Sequence, residues 1–127
     1  MKNRILVIED NEQNIYMVTY LLENAGYEVV QARNGPEGIA LAVDRRPDLI
    51  ILDIQLPEMD GYEVAQKLRQ KEILGDVPIV AVTSYAMVGD RERVLDSGCT
   101  GYMEKPIDTT TFVQSIADHI DRAGDRR

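Results

Sequence analysis

Short runs of β-branched and apolar residues alternate with helix-like segments along this chain, and this alternation constrains the fold more than any other feature. Four runs lie at 5–8, 28–31, 49–52 and 77–83, with a weaker fifth at 100–104. Between and after them, apolar residues recur every three or four positions, which is typical of helices that bury one face. Strands that are apolar along nearly their whole length indicate a parallel sheet covered on both faces. The sequence therefore predicts an α/β fold, a (βα)5 doubly wound parallel sheet of five strands.

Length and charge narrow the classes of protein further. The 127 residues suffice for one domain with a hydrophobic core, which we expect at 1–123, followed by a short tail at 124–127 and no output domain. No apolar run approaches the roughly 18 residues of a membrane span, and the single cysteine, Cys99, permits no internal disulfide. The formal net charge of −8 opposes binding to nucleic acid and to anionic membranes. We therefore expect a cytoplasmic protein with no membrane span and no direct contact with nucleic acid.

Three acidic residues stand where strands are expected to end. Ligands of such sheets bind at the carboxyl ends of the strands, where the strand order reverses, and the common order 2-1-3-4-5 makes the first and third strands neighbours there. The first strand ends in Glu9 and Asp10, and the third ends in Asp53. Two unit charges about 5 Å apart at an effective dielectric near ~20 repel by roughly 3 kcal/mol. A hard divalent cation such as Mg²⁺ would remove that repulsion, so the pattern predicts a metal site.

The remaining strand ends supply a hydroxyl and a cation. The fourth strand ends in Thr83 and Ser84, and the fifth leads to Lys105. A phosphoryl group on Asp53 would find the metal, Lys105 and Thr83 around its oxygens, and carboxylate nucleophiles that form an aspartyl phosphate are an established chemistry. We therefore interpret Asp53 as a nucleophile that a rigid strand holds within reach of a phosphodonor.

Four motifs carry a resemblance to a known family: VIEDN at 7–11, LIILDIQLPEMDG at 49–61, VTSYA at 82–86 and GYMEKP at 101–106. Along its whole length the chain resembles the receiver domain of two-component response regulators, a flavodoxin-like fold. The resemblance is closest to stand-alone single-domain regulators of the cell-division or motility type.

The resemblance implies a role for each site residue. Asp53 would be phosphorylated by a histidine kinase or a phosphotransfer protein. The ligands of Mg²⁺, or of Mn²⁺, would be Glu9, Asp10, Asp53 and the carbonyl of Gln55. The phosphoryl group would be contacted by Thr83, Ser84 and Lys105. Such a domain catalyses its own phosphotransfer and slow self-dephosphorylation and is not otherwise an enzyme.

The resemblance also implies how the signal would be read. Tyr102 matches the aromatic that changes rotamer together with Thr83, and the bond from Lys105 to Pro106 matches the family's cis peptide. The fourth helix, fifth strand and fifth helix would present the surface that controls a downstream protein target, unless the chain relays its phosphate. Pro57 and Gly61 would have structural roles. Gln55 and Tyr85 would tune the dephosphorylation rate. A weak homodimer through the last helices is left open.

One residue departs from the family pattern. Many members carry two aspartates where this chain has Glu9 and Asp10. The longer side chain of Glu9 can reach the metal directly or through a water molecule, and Asp10 is the firmer ligand of the two.

Each of these residues also has a simpler interpretation when it is taken alone. Asp53 could cap a helix, Glu9 and Asp10 could form a solvated turn or cap the first helix, Thr83 could be a β-branched strand end, and Lys105 could be a solvated lysine. Tyr102 could likewise be a plain surface aromatic. The functional site would be absent only if all of the simpler interpretations were true at once. The shared position of these residues at strand ends argues against that coincidence.

Three other functions compete with the receiver interpretation. A haloacid-dehalogenase-type phosphatase needs a second acid two residues after its nucleophile, where this chain has Gln55. A flavodoxin-like cofactor binder needs a phosphate loop after the first strand, where the acids of EDNEQN would repel phosphate. A pseudo-receiver that binds partners without phosphorylation would lack Asp53, Thr83 or Lys105, and all three are present.

Overall fold

The computed structural model of the chain describes residues 2–84 and 88–125. The strands are β1 (Arg4–Ile8), β2 (Glu28–Ala32), β3 (Leu49–Asp53), β4 (Ile79–Thr83) and β5 (Gly101–Glu104). The α-helices are α1 (Glu12–Asn24), α2 (Gly35–Arg45), α3 (Gly61–Arg69), α4 (Val88–Asp96) and α5 (Phe112–Asp125), and a short 3₁₀ helix occupies Glu72–Leu74. Within the described ranges, no helix is both long and apolar enough to cross a membrane.

The five strands form one parallel sheet in the order β2-β1-β3-β4-β5. This confirms the predicted α/β fold and the predicted strand order. The first and third strands are direct neighbours, with Ile8 of β1 paired to Leu52 of β3. On the other side of β3, Asp53 pairs with Val82. The carboxyl ends of β1, β3 and β4 therefore meet at the same edge of the sheet.

The hydrophobic core consists of two clusters, one on each face of the sheet. Alternate residues of each central strand contribute to opposite clusters, as Leu6 and Val7 of β1 do. One cluster includes side chains of α2, α3 and α4, among them Ala42, Val64, Leu68 and Val94. The other includes side chains of α1 and α5, among them Val18, Leu22, Phe112 and Ile116. Every residue of β3 and of β4 is buried, which makes these two strands a rigid base for the residues at their ends.

Two element boundaries differ from the sequence prediction. The run predicted at 77–83 begins as a strand only at Ile79, because Val77 and Pro78 lie in the connection before it. The helical spacing of Val64 and Leu68 continues in the sequence to Glu72, but α3 ends at Arg69 and Glu72 begins the 3₁₀ helix. Glu72 is exposed and Leu74 is buried, so the chain turns there to place its next apolar side chain in the core.

The loop between β3 and α3 packs directly behind Asp53. The Gly61 N–H donates to the Ile54 carbonyl at 2.9 Å, and Asp60 caps α3 by accepting from the Glu63 N–H at 2.9 Å. A Cβ atom on Gly61 would lie 2.4 Å from Ile54 Cα and 2.8 Å from the Asp53 carbonyl oxygen. Backbone atoms at such distances cannot yield without moving Asp53, so the close approach requires glycine at this position.

We expect Gly61→Ala to lower the free energy of unfolding by about 1–3 kcal/mol, because the added methyl group overpacks the backbone behind Asp53. Urea unfolding followed by circular dichroism measures the change. The matched control is Gln66→Ala on the exposed face of α3, which should stay within about 0.5 kcal/mol of the parent. A Gly61→Ala protein as stable as that control would contradict the close packing of this loop.

Candidate functional site

The carboxyl ends of the strands bring three acids together. Glu9 directly follows β1, Asp10 follows it, and Asp53 is the last residue of β3. One carboxylate oxygen from each of the three lies within 4.8 Å of the other two. Glu9 and Asp53 are buried, with 7% and 2% of their surface exposed, while Asp10 faces solvent. Two of the three charges therefore lie where water cannot screen their repulsion.

The two carboxylate oxygens of Asp53 differ in their partners. Its Oδ1 accepts from the Gln55 N–H at 2.9 Å and forms an ion pair with Lys105 Nζ at 3.0 Å. Its Oδ2 is buried and has no hydrogen-bond partner among the described residues. A buried polar atom without a partner costs about 1–3 kcal/mol, so such an atom calls for an explanation. The lone pairs of Oδ2 are available to a cation or to an incoming electrophile.

Lys105 is placed by the pairing of the last two strands. Its N–H donates to the Thr83 carbonyl at 2.9 Å, which continues the pairing of β4 with β5 by one residue. Its ammonium group lies 3.0 Å from Asp53 Oδ1 and 3.8 Å from Glu9 Oε1. The peptide bond to Pro106 is cis, as predicted. The side chain is thus ion-paired within the acidic site and is not a solvated lysine.

Glu9 is held by donors on both of its carboxylate oxygens. Its Oε2 accepts from the N–H groups of Asp10 at 3.0 Å and Asn11 at 3.4 Å. Its Oε1 accepts from the side-chain Nδ2 of Asn14 at 3.1 Å. These bonds fix the carboxylate between the start of α1 and the end of β5.

The electrostatic environment opposes the charge on Glu9. Burial, together with the neighbouring Asp53 carboxylate, raises the pKa of Glu9 to about 7. The Lys105 ammonium and the Asn11 N–H act in the opposite direction and only partly offset these effects. Without a metal ion, Glu9 therefore releases its proton at a higher pH than an ordinary glutamate does.

A cleft of about 390 Å³ opens beside these acids. Its lining includes Glu9, Asn14 and Lys105, together with Ser84, which is exposed. Thr83, the last residue of β4, is buried and lies one position beyond Val82, the partner of Asp53. The predicted hydroxyls thus lie at the same sheet edge as the acids.

Tyr102 lies beside this edge and outside the cleft lining. It pairs with Ala81 of β4, so it is two positions away from Thr83 on the same face of the sheet. Its ring is partly buried against the core, and the Arg91 guanidinium lies 5.6 Å from the ring centroid. The arrangement is compatible with the predicted switch role, which stays a prediction. Tyr85, predicted to tune the site, lies outside the described residues.

The interpretation of these acids as helix caps fails because other residues form the caps. Asn11 caps α1 by accepting from the Asn14 N–H, and Asp60 caps α3. Neither Glu9 nor Asp53 is needed for either cap. The metal-ligand role of the Gln55 carbonyl stays a prediction, because the contact found for Gln55 is its N–H bond to Asp53.

Sequence reasoning missed Asn14. A weak signal was present, since a polar residue three positions after a capping asparagine lies in the first turn of the helix and returns toward the preceding strand end. The apolar members of the cleft lining, Met17 and Ile107, carried no such signal.

We expect the metal-free protein to lose stability as the pH rises from about 5 to 8. The folded state holds a proton on Glu9 up to pH about 7, whereas the unfolded chain releases it near the ordinary pKa of 4.5. The stabilisation is therefore complete below the unfolded pKa and lost as the pH passes through the folded one. The parent should lose about 2–3 kcal/mol more than Glu9→Gln across this interval.

Urea unfolding in EDTA at several pH values measures this difference. Glu63→Gln, which changes an exposed acid on α3, is the matched control and should keep the parent's pH dependence. Parallel pH profiles for the parent and Glu9→Gln would show that Glu9 titrates normally.

Comparison with known proteins agrees with the geometry. A family model described as the response regulator receiver domain matches residues 5–117. The polar-differentiation response regulator DivK of Brucella anthropi is 42% identical over 120 residues, which cover 94% of this chain and 98% of DivK. DivK of Brucella ovis shows the same identity and coverage. These matches confirm the predicted likeness to single-domain response regulators.

Solved structures of similar proteins have the same fold. The chemotaxis protein CheY4 of Vibrio cholerae superposes with a TM-score of 0.90 at 28% identity, covering 94% of this chain and 99% of that one. The receiver domain of the sensor histidine kinase PA1611 from Pseudomonas aeruginosa has a TM-score of 0.87 at 32% identity, covering 95% and 99%. That receiver has a magnesium ion coordinated in its active site cleft. With the family model matched over 5–117 and the strand-end acids in place, the chain belongs to the response regulator receiver domain family.

Proposed function

We propose that this receiver is a phosphorylation switch in which Asp53 accepts a phosphoryl group from a histidine kinase or a phosphotransfer protein. The observation that carries the proposal is the state of the Asp53 carboxylate. Lys105 lies 3.0 Å from Oδ1, and the buried Oδ2 has no partner among the described residues. A nucleophile with free lone pairs, backed by a cation and held at the end of a buried strand, suits phosphoryl transfer.

The transfer is a simple displacement at phosphorus. A carboxylate oxygen of Asp53 forms a bond to the phosphorus atom as the bond from phosphorus to the donor's imidazole nitrogen breaks. The electron pair of that bond returns to the imidazole, which takes up a proton from solvent. The Lys105 ammonium is close enough to transfer its ion pair from Asp53 to a phosphoryl oxygen. Thr83 and Ser84 would supply hydroxyl contacts from the end of β4, and attack of water on the same acyl phosphate would account for slow self-dephosphorylation.

The acidic cluster fits a hard divalent cation. Carboxylate oxygens are ligands that Mg²⁺ prefers, and the three acids converge within 4.8 Å. We propose that Glu9, Asp10 and Asp53 hold Mg²⁺ or Mn²⁺, with the Gln55 carbonyl as a further ligand. When bound, the metal supplies positive charge against the crowded carboxylates and the phosphoryl oxygens. The magnesium ion in the PA1611 receiver supports this assignment.

The switching surface is proposed at α4, β5 and α5. Among the α4 side chains described at 90–96, Val94 is buried, and the others are exposed or partly exposed. A helix held by so little buried surface needs little energy to shift. A phosphoryl group brings about −1.5 to −2 charges, and movement of Thr83 toward it would leave room for Tyr102 to turn inward. The altered surface would then control a downstream protein target, or the domain would pass its phosphate on.

Several contacts must act together for this switch to be decisive. Moving a two-state population from about 1:99 to 99:1 requires roughly 5.5 kcal/mol of differential stabilisation. One hydrogen bond to a charged group contributes about 1.5–3 kcal/mol. Bonds from both Lys105 and Thr83 are therefore needed. Thr83 ends β4, and Lys105 directly follows the neighbouring strand β5.

Incubation with acetyl phosphate and Mg²⁺ should add one phosphoryl group to the parent protein, as read by intact mass. Asp53→Asn and a sample in EDTA should gain none. Asp60→Asn is the matched control, because Asp60 caps α3 in the same loop and should not affect the adduct. If the parent gains no adduct and also forms no beryllium fluoride complex, the pseudo-receiver function replaces this proposal.

Mg²⁺ should raise the melting temperature of the parent, because it neutralises the crowded acids. In EDTA at pH 8, Asp53→Asn should melt about 5 °C above the parent, since it removes one of three repelling charges. It should also gain less from Mg²⁺ than the parent does. Differential scanning calorimetry measures both effects. If neither Mg²⁺ nor the substitution changes the melting temperature, the acids do not share one crevice.

A further inference from the structure

Asn14 makes a contact inside the acidic site that the proposed function has not used. Its backbone is fixed by the cap of α1, since its N–H donates to Asn11 Oδ1 at 3.0 Å. Its side chain turns toward the sheet edge, where Nδ2 donates to Glu9 Oε1 at 3.1 Å. Asn14 also contributes to the lining of the cleft beside Lys105. A neutral amide thus lies between the helix and the buried acid.

Glu9 and Asp53 compete for one ammonium group. Lys105 Nζ lies 3.0 Å from Asp53 Oδ1 and 3.8 Å from Glu9 Oε1. The Glu9 oxygen that faces Lys105 is the same oxygen that Asn14 engages. Without the amide, the Lys105 ammonium would remain 3.8 Å from that oxygen, and a buried carboxylate without a donor is costly. Glu9 would then turn toward Lys105 and draw it away from Asp53.

We propose that Asn14 is a positioning residue that holds Glu9 in place for the metal and leaves Lys105 to Asp53. The inference rests on the proposed metal-dependent function and extends it to a residue outside the acidic cluster. Asn14 supplies Oε1 with a donor, while the N–H groups of Asp10 and Asn11 supply Oε2. The carboxylate is therefore oriented before a cation arrives.

The contact depends on the length of the acid at position 9. Glu9 spans the distance to Asn14 while keeping its bonds to the backbone N–H groups after it. An aspartate is one methylene shorter and could not satisfy both sets of donors from the same backbone position. Glu9 and Asn14 therefore form a functional pair, and the departure of Glu9 from aspartate is matched by an amide that reaches it.

The test is a Mg²⁺ titration of the unphosphorylated protein, followed by the backbone amide signals of Asp10 and Gln55 in NMR spectra. Asn14→Leu keeps the branching and the number of side-chain heavy atoms and removes the donor. It should weaken Mg²⁺ binding by about tenfold, which is the usual cost of losing a residue that orients a metal ligand. Asn14→Ala provides a second variant with a good helix former, should the leucine disturb folding. Gln13→Ala, an exposed neighbour on the same helix, is the matched control.

A double-mutant cycle with Glu9→Asp separates positioning from a general structural effect. In the Glu9→Asp background, Asn14→Leu should change Mg²⁺ binding by less than about twofold, because the shorter acid has no bond to lose. An equal loss in both backgrounds, or no loss in the Glu9 background while the parent binds Mg²⁺, would overturn the inference and leave the proposed function intact. A parent that binds no Mg²⁺ would overturn the metal-dependent function and the inference with it.

Discussion

The ion pair between Lys105 and Asp53 is the interaction on which this site depends. It joins the end of β5 to the end of β3 across β4, at 3.0 Å and with Asp53 buried. Removing Lys105 would leave the buried acids without a cation, and breaking a buried pair in this way typically costs about 3–5 kcal/mol. The pair therefore places a positive charge against the buried Asp53 carboxylate, the group that would attack phosphorus in the proposed function. Burial and the neighbouring Asp53 carboxylate raise the pKa of Glu9.

The fold holds these charged groups close together because it fixes the ends of the strands that carry them. β3 and β4 are buried along their whole length, so the positions of Asp53 and Thr83 follow from packing on both faces of the sheet. Behind Asp53, the close approach of Gly61 leaves the following loop no space to relax. In front of it, α1 begins at its own cap and leaves Glu9 free to face the site. By contrast, Val94 is the one buried side chain among those of α4 described at 90–96, so the proposed switching surface is packed more lightly than the strands that hold the acids.

Much of this arrangement could be predicted from the sequence because it depends on short-range patterns of apolar and charged residues. Apolar runs of strand length identify the five strands, and the rule that ligands bind at the strand-order reversal places Glu9, Asp10 and Asp53 together. The boundaries at Ile79 and Arg69 were harder to predict, since they depend on which side chains the tertiary core accepts. The Asn14 contact and the raised pKa of Glu9 depend on distances between separate elements, about which periodicity carries no information. The metal-ligand role of Gln55 depends on a bound cation and the switch role of Tyr102 on a phosphorylated state, so both stay predictions.

The central claim is that Asp53 and Lys105 form one phosphoryl-binding site that is coupled to the α4–β5 surface. Amide NMR spectra recorded with Mg²⁺ alone, and then with Mg²⁺ and beryllium fluoride as a phosphoryl mimic, test it most directly. We predict that Mg²⁺ alone moves signals around Asp10 and Gln55. Beryllium fluoride should also shift the amide signals of Lys105, Tyr102 and α4, and Asp53→Asn should abolish these additional shifts. Spectra that are identical with and without beryllium fluoride would contradict the claim and leave a cation-binding acidic cluster without phosphoryl chemistry.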